Sequence, residues 1–240
     1  RCALCESRNA GVILVFDVYG TLLDVDSAVR RHAQLLGAEA EALSRLWRSK
    51  QLEYTWTRSL MQRYADFSTV TEEALEYVLH RSGLEDREFA SLLRTAYTEL
   101  EPYPDAVGAL GELHAQGHTL AVLSNATPAM LEAGLSHARL RELVAEIFSV
   151  DELGVYKPAP EVYGLAAERF GTAPSLIRFH SANAWDVAGA YAAGLQAVWI
   201  NRTGSADEHG LRGSVIELAS LSELAATVRD QVVPPTTSMP

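Results

Sequence analysis

Val15-Phe16-Asp17-Val18-Tyr19-Gly20-Thr21 ends a short apolar run with an aspartate and a glycine turn. A carboxylate placed there can attack an electrophile, forming an ester or acyl phosphate that water later cleaves. The residue two places on separates the two chemistries. An alkoxide leaving group needs a general acid, which a second carboxylate at that position would supply. Position 19 is Tyr, and a phenol with a reference pKa of about 10 is a poor substitute. Halide is the anion of a strong acid and leaves without a proton.

Other polar residues of this kind recur after apolar runs: Ser124 and Asn125, then Lys157, then Ser181, Asn183 and Asp186. Singly, each has an ordinary reading as a turn cap, a loop hydrogen bond or a solvated charge. In sequence they match the loops beyond the carboxyl ends of successive parallel strands, where ligands bind in open α/β sheets. A divalent cation for phosphoryl transfer needs several oxygen ligands, and the last cluster offers one carboxylate, Asp186.

The elements that would position these residues follow from periodicity. Strands are expected at Gly11 to Phe16, Thr119 to Leu123, Glu146 to Val150, Leu176 to Phe179 and Ala197 to Ile200. Helices are expected near Asp105 to Ala115, after Thr127-Pro128, near Pro160 to Phe170 with Gly171 closing it, and after Ala184. This alternation predicts an α/β fold, a Rossmann-like parallel sheet covered by helices on both faces. About a hundred residues separate the first two strands, and their apolar positions, such as Leu43, Leu46 and Trp47 or Leu75, Val78 and Leu79, recur at helical spacing. They predict a helical cap inserted after the first strand, with Thr69 or Thr71 capping one helix, Gly83 closing it, and Pro102 and Pro104 marking the return. The expected division is a core of 11–23 and 104–232, a cap of 24–103, and disordered termini at 1–10 and 233–240.

The 240 residues are 48% hydrophobic, enough for one large domain or a core plus a subdomain. A net charge of -11 and no basic run argue against nucleic acid or an anionic membrane as partner. No stretch approaches the roughly 18 apolar residues of a membrane helix, and the first ten residues lack a signal-peptide run, so a cytoplasmic enzyme is expected. Position 1 is Arg rather than Met, which suggests that the native start is missing or replaced; residues 1–10 are assigned no role. Cys2 and Cys5 form a Cys-x-x-Cys, but the chain has no other cysteine to complete a zinc site or build a disulfide framework.

The chain resembles the type II L-2-haloacid dehalogenases of the haloacid dehalogenase superfamily, from about Val12 to Gly204. The resemblance is carried by Phe16-Asp17-Val18-Tyr19-Gly20-Thr21, the segment Leu46 to Tyr54 around Arg48, Leu123-Ser124-Asn125, Val155-Tyr156-Lys157-Pro158, Ser181-Ala182-Asn183-Ala184-Trp185-Asp186 and Trp199-Ile200-Asn201-Arg202. It implies hydrolysis of short-chain (S)-2-haloalkanoic acids to (R)-2-hydroxyalkanoic acids and halide. Asp17 would displace halide from carbon 2 with inversion, and water would then cleave the aspartyl ester, with no cofactor or metal. A metal-dependent phosphatase of the same superfamily and a catalytically silent binding protein on the same fold are the alternatives.

The resemblance also implies the roles. Lys157 would keep Asp17 ionised, Thr21 would hold the nucleophile's carboxylate, and Arg48 on the cap would capture halide. Tyr163 would support Lys157. Ser181, Asn183 and Asp186 would orient Lys157, Asp17 and the hydrolytic water, with Asp186 as base or water-positioning group. The substrate carboxylate would be held by Ser124, Asn125 and the amides of Val18 and Tyr19, and Tyr19, Leu52, Phe67 and Trp185 would line the apolar pocket. A homodimer packed through the helical insertion is implied as well. The chain departs from the pattern at Ser49, Ala126, Ala159, His180 and Ala182. Ala126 stands where a glycine would permit positive φ or close approach of backbone to the substrate carboxylate. His180 would titrate near neutrality if it lined the pocket, although a structural histidine is the expected reading.

Overall fold

The computed structural model describes residues 11–84 and 86–230; Cys2, Cys5 and the segment 232–240 lie outside the described residues. Strand β1, Ile13–Phe16, is apolar throughout and nearly fully buried, as a central parallel strand covered on both faces must be. The chain then leaves the sheet for helices α1 (Ser27–Arg30), α2 (Ala33–Leu36), α3 (Ala40–Met61), α4 (Phe67–Arg81) and α5 (Arg87–Thr98). It returns through Pro102, which bridges to Leu23, and the Tyr103 amide donates to the Leu22 carbonyl at 2.9 Å.

From there helix and strand alternate: α6 (Ala106–Ala115), β2 (Thr119–Ser124), α7 (Pro128–His137), β3 (Glu146–Ser149), α8 (Pro160–Phe170), β4 (Ile177–Ser181), α9 (Ala184–Ala192), β5 (Gln196–Ile200), β6 (Ile216–Leu218) and α10 (Leu224–Asp230). The sheet has six strands in the order β3-β2-β1-β4-β5-β6, and every pairing is parallel. The order reverses at β1, so β1 and β4 flank the switch point where a crevice opens beyond their carboxyl ends. Register places Phe16 opposite Val122 and His180, which brings Asp17 level with the ends of β2 and β4.

One local expectation needs correction, and one strand is added to those expected. Helix α4 is capped by Asp66, whose carboxylate accepts from the Thr69 amide at 2.9 Å, so Thr69 and Thr71 lie inside the helix. Aspartate caps as well as threonine, and the cap lies one residue before the apolar face begins at Phe67. Strand β6 was not foreseen: only three residues long, it shows no run from which a strand can be read. Elsewhere the signals agree with the structure. Thr127 caps α7 with Pro128 at its first position, and α8 runs from Pro160 to a left-handed Gly171.

Candidate active site

Asp17 lies one residue beyond β1 and is 5% exposed, its amide donating to the His180 carbonyl on the neighbouring strand at 2.9 Å. A bare buried carboxylate would be costly, and four donors surround this one. Oδ2 accepts from Thr21 Oγ1 at 2.8 Å, Asn183 Nδ2 at 2.8 Å and Ser181 Oγ at 3.4 Å. Oδ1 accepts from Lys157 Nζ alone, at 3.2 Å. The asymmetry leaves Oδ1 with a free lone pair.

The turn that follows explains Thr21. Val18 accepts hydrogen bonds from the amides of Thr21, Leu22 and Leu23, and Gly20 sits at φ 94°, a conformation that a side chain would strain. The tight turn swings the Thr21 hydroxyl back four residues to Asp17, while the same oxygen accepts from the Ala182 amide at 2.9 Å. The Val18 and Tyr19 amides make no hydrogen bond among the described residues. They remain available to an anion at the turn.

Lys157 is 1% exposed and lies between two carboxylates, 3.2 Å from Asp17 Oδ1 and 3.0 Å from Asp186 Oδ2. Its amide donates to Asn125 Oδ1 at 3.0 Å, and the following peptide to Pro158 is cis. Asp186, on the first turn of α9, is fully buried; its Oδ1 accepts from Tyr163 Oη at 2.7 Å. Burial raises the Asp186 carboxyl to about 6 against the opposing pull of Lys157, with the Asp17 charge adding to the rise. The Tyr163 phenol is pushed up by burial and by the Asp186 charge beside it, which keeps it a hydrogen-bond donor. Each Asp186 oxygen thus has one protein donor, and the fully buried carboxylate is placed to hold Lys157.

The cap completes the site from above. Arg48 and Leu52 lie one turn apart on α3, so they share a face. Arg48 Nη2 donates to the Tyr19 carbonyl at 3.1 Å, and Asn183 Nδ2 reaches the same oxygen at 3.3 Å. Asp17, Tyr19, Arg48, Leu52 and Phe67 line a small cleft closed on its other side by Ser124, Asn125, Ala126 and Trp185. Larger clefts, such as one bordered by Asp26, Arg30 and Glu41, lie elsewhere on the cap. The Tyr19 phenol is raised by burial and by the nearby Tyr97, so it holds its proton too tightly to act as a general acid.

Every residue expected in the site therefore falls in one of two shells. The cleft takes Asp17, Tyr19, Arg48, Leu52, Phe67, Ser124, Asn125 and Trp185. The support beneath Asp17 takes Thr21, Lys157, Tyr163, Ser181, Asn183 and Asp186, and Val18 contributes a free amide rather than its buried side chain. Ser124 Oγ accepts from the Ala126 amide at 3.2 Å, which turns its proton toward other partners. Ala126 is buried and is not among the positive-φ residues, so its methyl costs space, not backbone strain. Ser49 is exposed on α3 and faces away from the cleft. His180 does not line it either. The ring is fully buried, stacks on Phe16 at 4.5 Å and meets the Val15 carbonyl at 3.0 Å, and burial lowers its pKa to about 3.

Three contributors escaped sequence reasoning. Ser149, at the end of β3, donates to the Ala126 carbonyl at 2.8 Å and braces the turn after β2; its place at a strand end was the available signal. Tyr97 of α5 stacks on Tyr19 at 5.7 Å and donates to Gln51 Oε1 at 3.2 Å, yet reads in sequence as ordinary helix core. Gly189 of α9 faces Tyr163. A Cβ there would lie 2.4 Å from Tyr163 Oη and 2.7 Å from Pro158 Cβ. Among the described residues no cluster of three or more His, Cys, Asp or Glu side chains could hold a metal ion, and none of the helices is long and apolar enough to cross a membrane.

Residues 13–194 match the family described as haloacid dehalogenase-like hydrolase. The chain is 50% identical over 211 residues to (S)-2-haloacid dehalogenase 1 of Pseudomonas sp. (strain CBS-3), covering 88% of this chain and 93% of that protein. Among solved structures it resembles a dehalogenase at 46% identity and TM-score 0.88, over 91% of this chain and 97% of that one. It also resembles L-2-haloacid dehalogenase from Xanthobacter autotrophicus with chloropropionic acid covalently bound, at 35% identity and TM-score 0.81, over 92% of this chain and 99% of that one.

Proposed function

The chain belongs to the (S)-2-haloacid dehalogenases of the haloacid dehalogenase-like hydrolase family, and from that premise we propose how its own residues divide the reaction. The enzyme hydrolyses the carbon–halide bond of short-chain (S)-2-haloalkanoic acids, giving (R)-2-hydroxyalkanoic acids and halide through an ester on its nucleophilic aspartate. The observation that carries the assignment is the asymmetric carboxylate of Asp17, saturated at Oδ2 and open at Oδ1.

The substrate carboxylate is held by Ser124, Asn125 and the free amides of Val18 and Tyr19, with its alkyl group against Tyr19, Leu52, Phe67 and Trp185. Oδ1 of Asp17 attacks carbon 2 from the side opposite the halogen. The C2–halogen bond breaks, halide departs toward the Arg48 guanidinium, and carbon 2 inverts. A cation aimed at developing negative charge in a dry site stabilises it without reorganising.

The ester so formed keeps Oδ2 as its carbonyl oxygen. Water attacks Asp17 Cγ, and the negative charge that develops on Oδ2 falls on the Thr21, Asn183 and Ser181 donors already directed at that atom. The Cγ–Oδ1 bond breaks and Oδ1 leaves as the product hydroxyl, taking a proton from Lys157 Nζ beside it. The water's protons pass to the Lys157–Asp186 pair and to solvent as Asp17 regains its charge, now carrying the water oxygen. Asp186 and Tyr163 hold Lys157 in place.

Halide release from (S)-2-chloropropionate in the presence of a chelator is the expected activity, and Asp17→Asn should lower it by a thousandfold or more, roughly. A single turnover in isotopically labelled water should leave the label on Asp17. Unchanged turnover by Asp17→Asn, or label found only in the hydroxyacid, would sink this assignment.

We also read residues 24–103 as a cap body on a core of 11–23 and 104–232, and infer a cytoplasmic homodimer packed through the cap. Exposed Leu60 and Met61, adjacent at the end of α3, support the dimer. Light scattering at micromolar concentration should report twice the 26.2 kDa chain mass.

A further inference from the structure

Arg202 follows β5 and has no part in the cleft, yet its side chain makes contacts at the junction between core and cap. Nη2 donates to the Thr21 carbonyl at 2.9 Å and to Asp105 Oδ1 at 3.0 Å, and the guanidinium lies 4.1 Å from the centroid of the Tyr103 ring. Thr21 belongs to the segment that leaves the core; Tyr103 and Asp105 belong to the segment that returns. Those two segments also bond directly, Asp24 to the Glu101 carbonyl at 2.8 Å and Tyr103 to the Leu22 carbonyl at 2.9 Å. Asp105 is itself anchored, accepting from Ser220 Oγ at 3.1 Å and the Leu221 amide at 2.9 Å.

Thr21 is therefore held at both ends. Its carbonyl is bound to Arg202, and its hydroxyl is bound to the nucleophile. We propose that Arg202 is a positioning residue for dehalogenation: it clamps the outgoing and returning segments to one another and so keeps Asp17 of the core in register with Arg48 of the cap. The inference rests on the division of labour proposed above.

The chemistry makes the two steps unequally sensitive. Attack on carbon 2 needs Asp17, the carbon and the departing halide in line, and the two groups at the ends of that line sit on opposite sides of the junction. A misplacement of about 1 Å at such a centre costs on the order of a hundredfold. Hydrolysis of the ester uses Asp17, Lys157, Asn183, Ser181 and Thr21, all outside the cap; Thr21 keeps its amide on the Val18 carbonyl and its hydroxyl on Asp17 and the Ala182 amide without Arg202, so this step should tolerate a small cap rotation. One guanidinium nitrogen serves both acceptors while the plane of the group stacks on the Tyr103 ring; an ammonium can donate twice but has no plane to stack.

The test is rapid-quench single-turnover kinetics with (S)-2-chloropropionate, following the ester on the Asp17 peptide by mass, for wild type, Arg202→Met, Arg202→Lys and Asp105→Asn. Arg202→Met should slow ester formation by roughly ten- to a hundredfold and ester hydrolysis by less than about threefold. Arg202→Lys should lose most of the same rate despite keeping the charge. Asp105→Asn keeps an acceptor of the same shape and should slow ester formation alone, by roughly three- to tenfold. If Arg202→Met fails to fold, the other two variants decide. Ester formation within about twofold of wild type in folded Arg202→Lys and Asp105→Asn, or equal slowing of both steps, overturns the proposal. A wild type that forms no ester would instead remove the reading on which it rests.

Discussion

The Asp17 carboxylate shows how one residue type is given two functions by unequal surroundings. Oδ2 has three donors fixed on it before any substrate arrives, and Oδ1 has Lys157 alone. Lys157 in turn depends on Asp186, whose carboxyl burial raises to about 6. Below that pH Asp186 takes up a proton, its attraction for Lys157 falls, and kcat/KM should decline along an acid limb near 6. Tyr163 donates to the charged form of Asp186, so Tyr163→Phe should move the limb to higher pH, by up to about one unit, with a smaller effect on the alkaline side. An acid limb that stays in place would show that Asp186 does not govern it. The sign for stability runs with the proton: a raised carboxyl contributes stability that is full below its ordinary value of 3.8 and is lost as pH rises through about 6. A buried neutral histidine does the opposite. His180, lowered to about 3, contributes stability that is present above 6.5 and is lost as pH falls toward 3. His180→Gln should therefore flatten the acid side of a plot of melting temperature against pH.

At the scale of elements, α9 does more than cover the sheet. Its first turn carries Asp186, and Gly189 one turn later faces Tyr163 and Pro158. In an exposed helix Gly→Ala gains about 0.5–1 kcal/mol. Here the added methyl would collide with the Tyr163 ring and hydroxyl and with Pro158, and overpacking of that kind costs about 1–3 kcal/mol. Gly189→Ala should lower the melting temperature and also lower kcat, because the collision displaces Tyr163, which holds Asp186, and Pro158, which follows Lys157. Calorimetry and steady-state kinetics on the same sample would check this, and a stabilised, fully active variant would contradict it. The glycine was invisible in sequence because nothing local distinguishes it; its neighbours come from α8 and from the loop after β3. Strands β1 to β5, by contrast, were legible from their apolar runs and flanking turn residues, as was α8 from Pro160 to Gly171, since both signals are local.

At the scale of the whole molecule, the site exists only where the cap meets the core. Besides Arg48 on Tyr19, the two are joined by Tyr156, which donates through Oη to the Ala65 carbonyl at 2.5 Å and through its amide to Ser59 Oγ at 3.1 Å, and by Tyr64 on Asp151. Tyr156 immediately precedes Lys157 in sequence, and these ties use none of the residues of the Arg202 junction. The molecule as a whole carries a net charge of -11, yet it takes an anionic substrate. Long-range repulsion should slow encounter, so kcat/KM should rise with inert salt, by roughly two- to threefold between about 0.01 and 0.2 M sodium sulfate. A fall over that range would mean that local positive charge at the cleft mouth steers the substrate instead.

The sequence alone determined the order of the elements and which polar residues stand at their carboxyl ends. Asp17 at a strand end, Tyr19 where a second acid would stand, and the clusters at 124–125, 157 and 181–186 are each local signals, carried by neighbours in the chain. Tertiary structure decided what each group faces. It settled that Oδ1 rather than Oδ2 of Asp17 is open, that Asp186 is committed to Lys157 and Tyr163, that His180 is buried and neutral, and that Arg202 spans the junction. Those facts depend on desolvation and on contacts between residues as far apart as Thr21 and Arg202, and no periodicity along the chain encodes either.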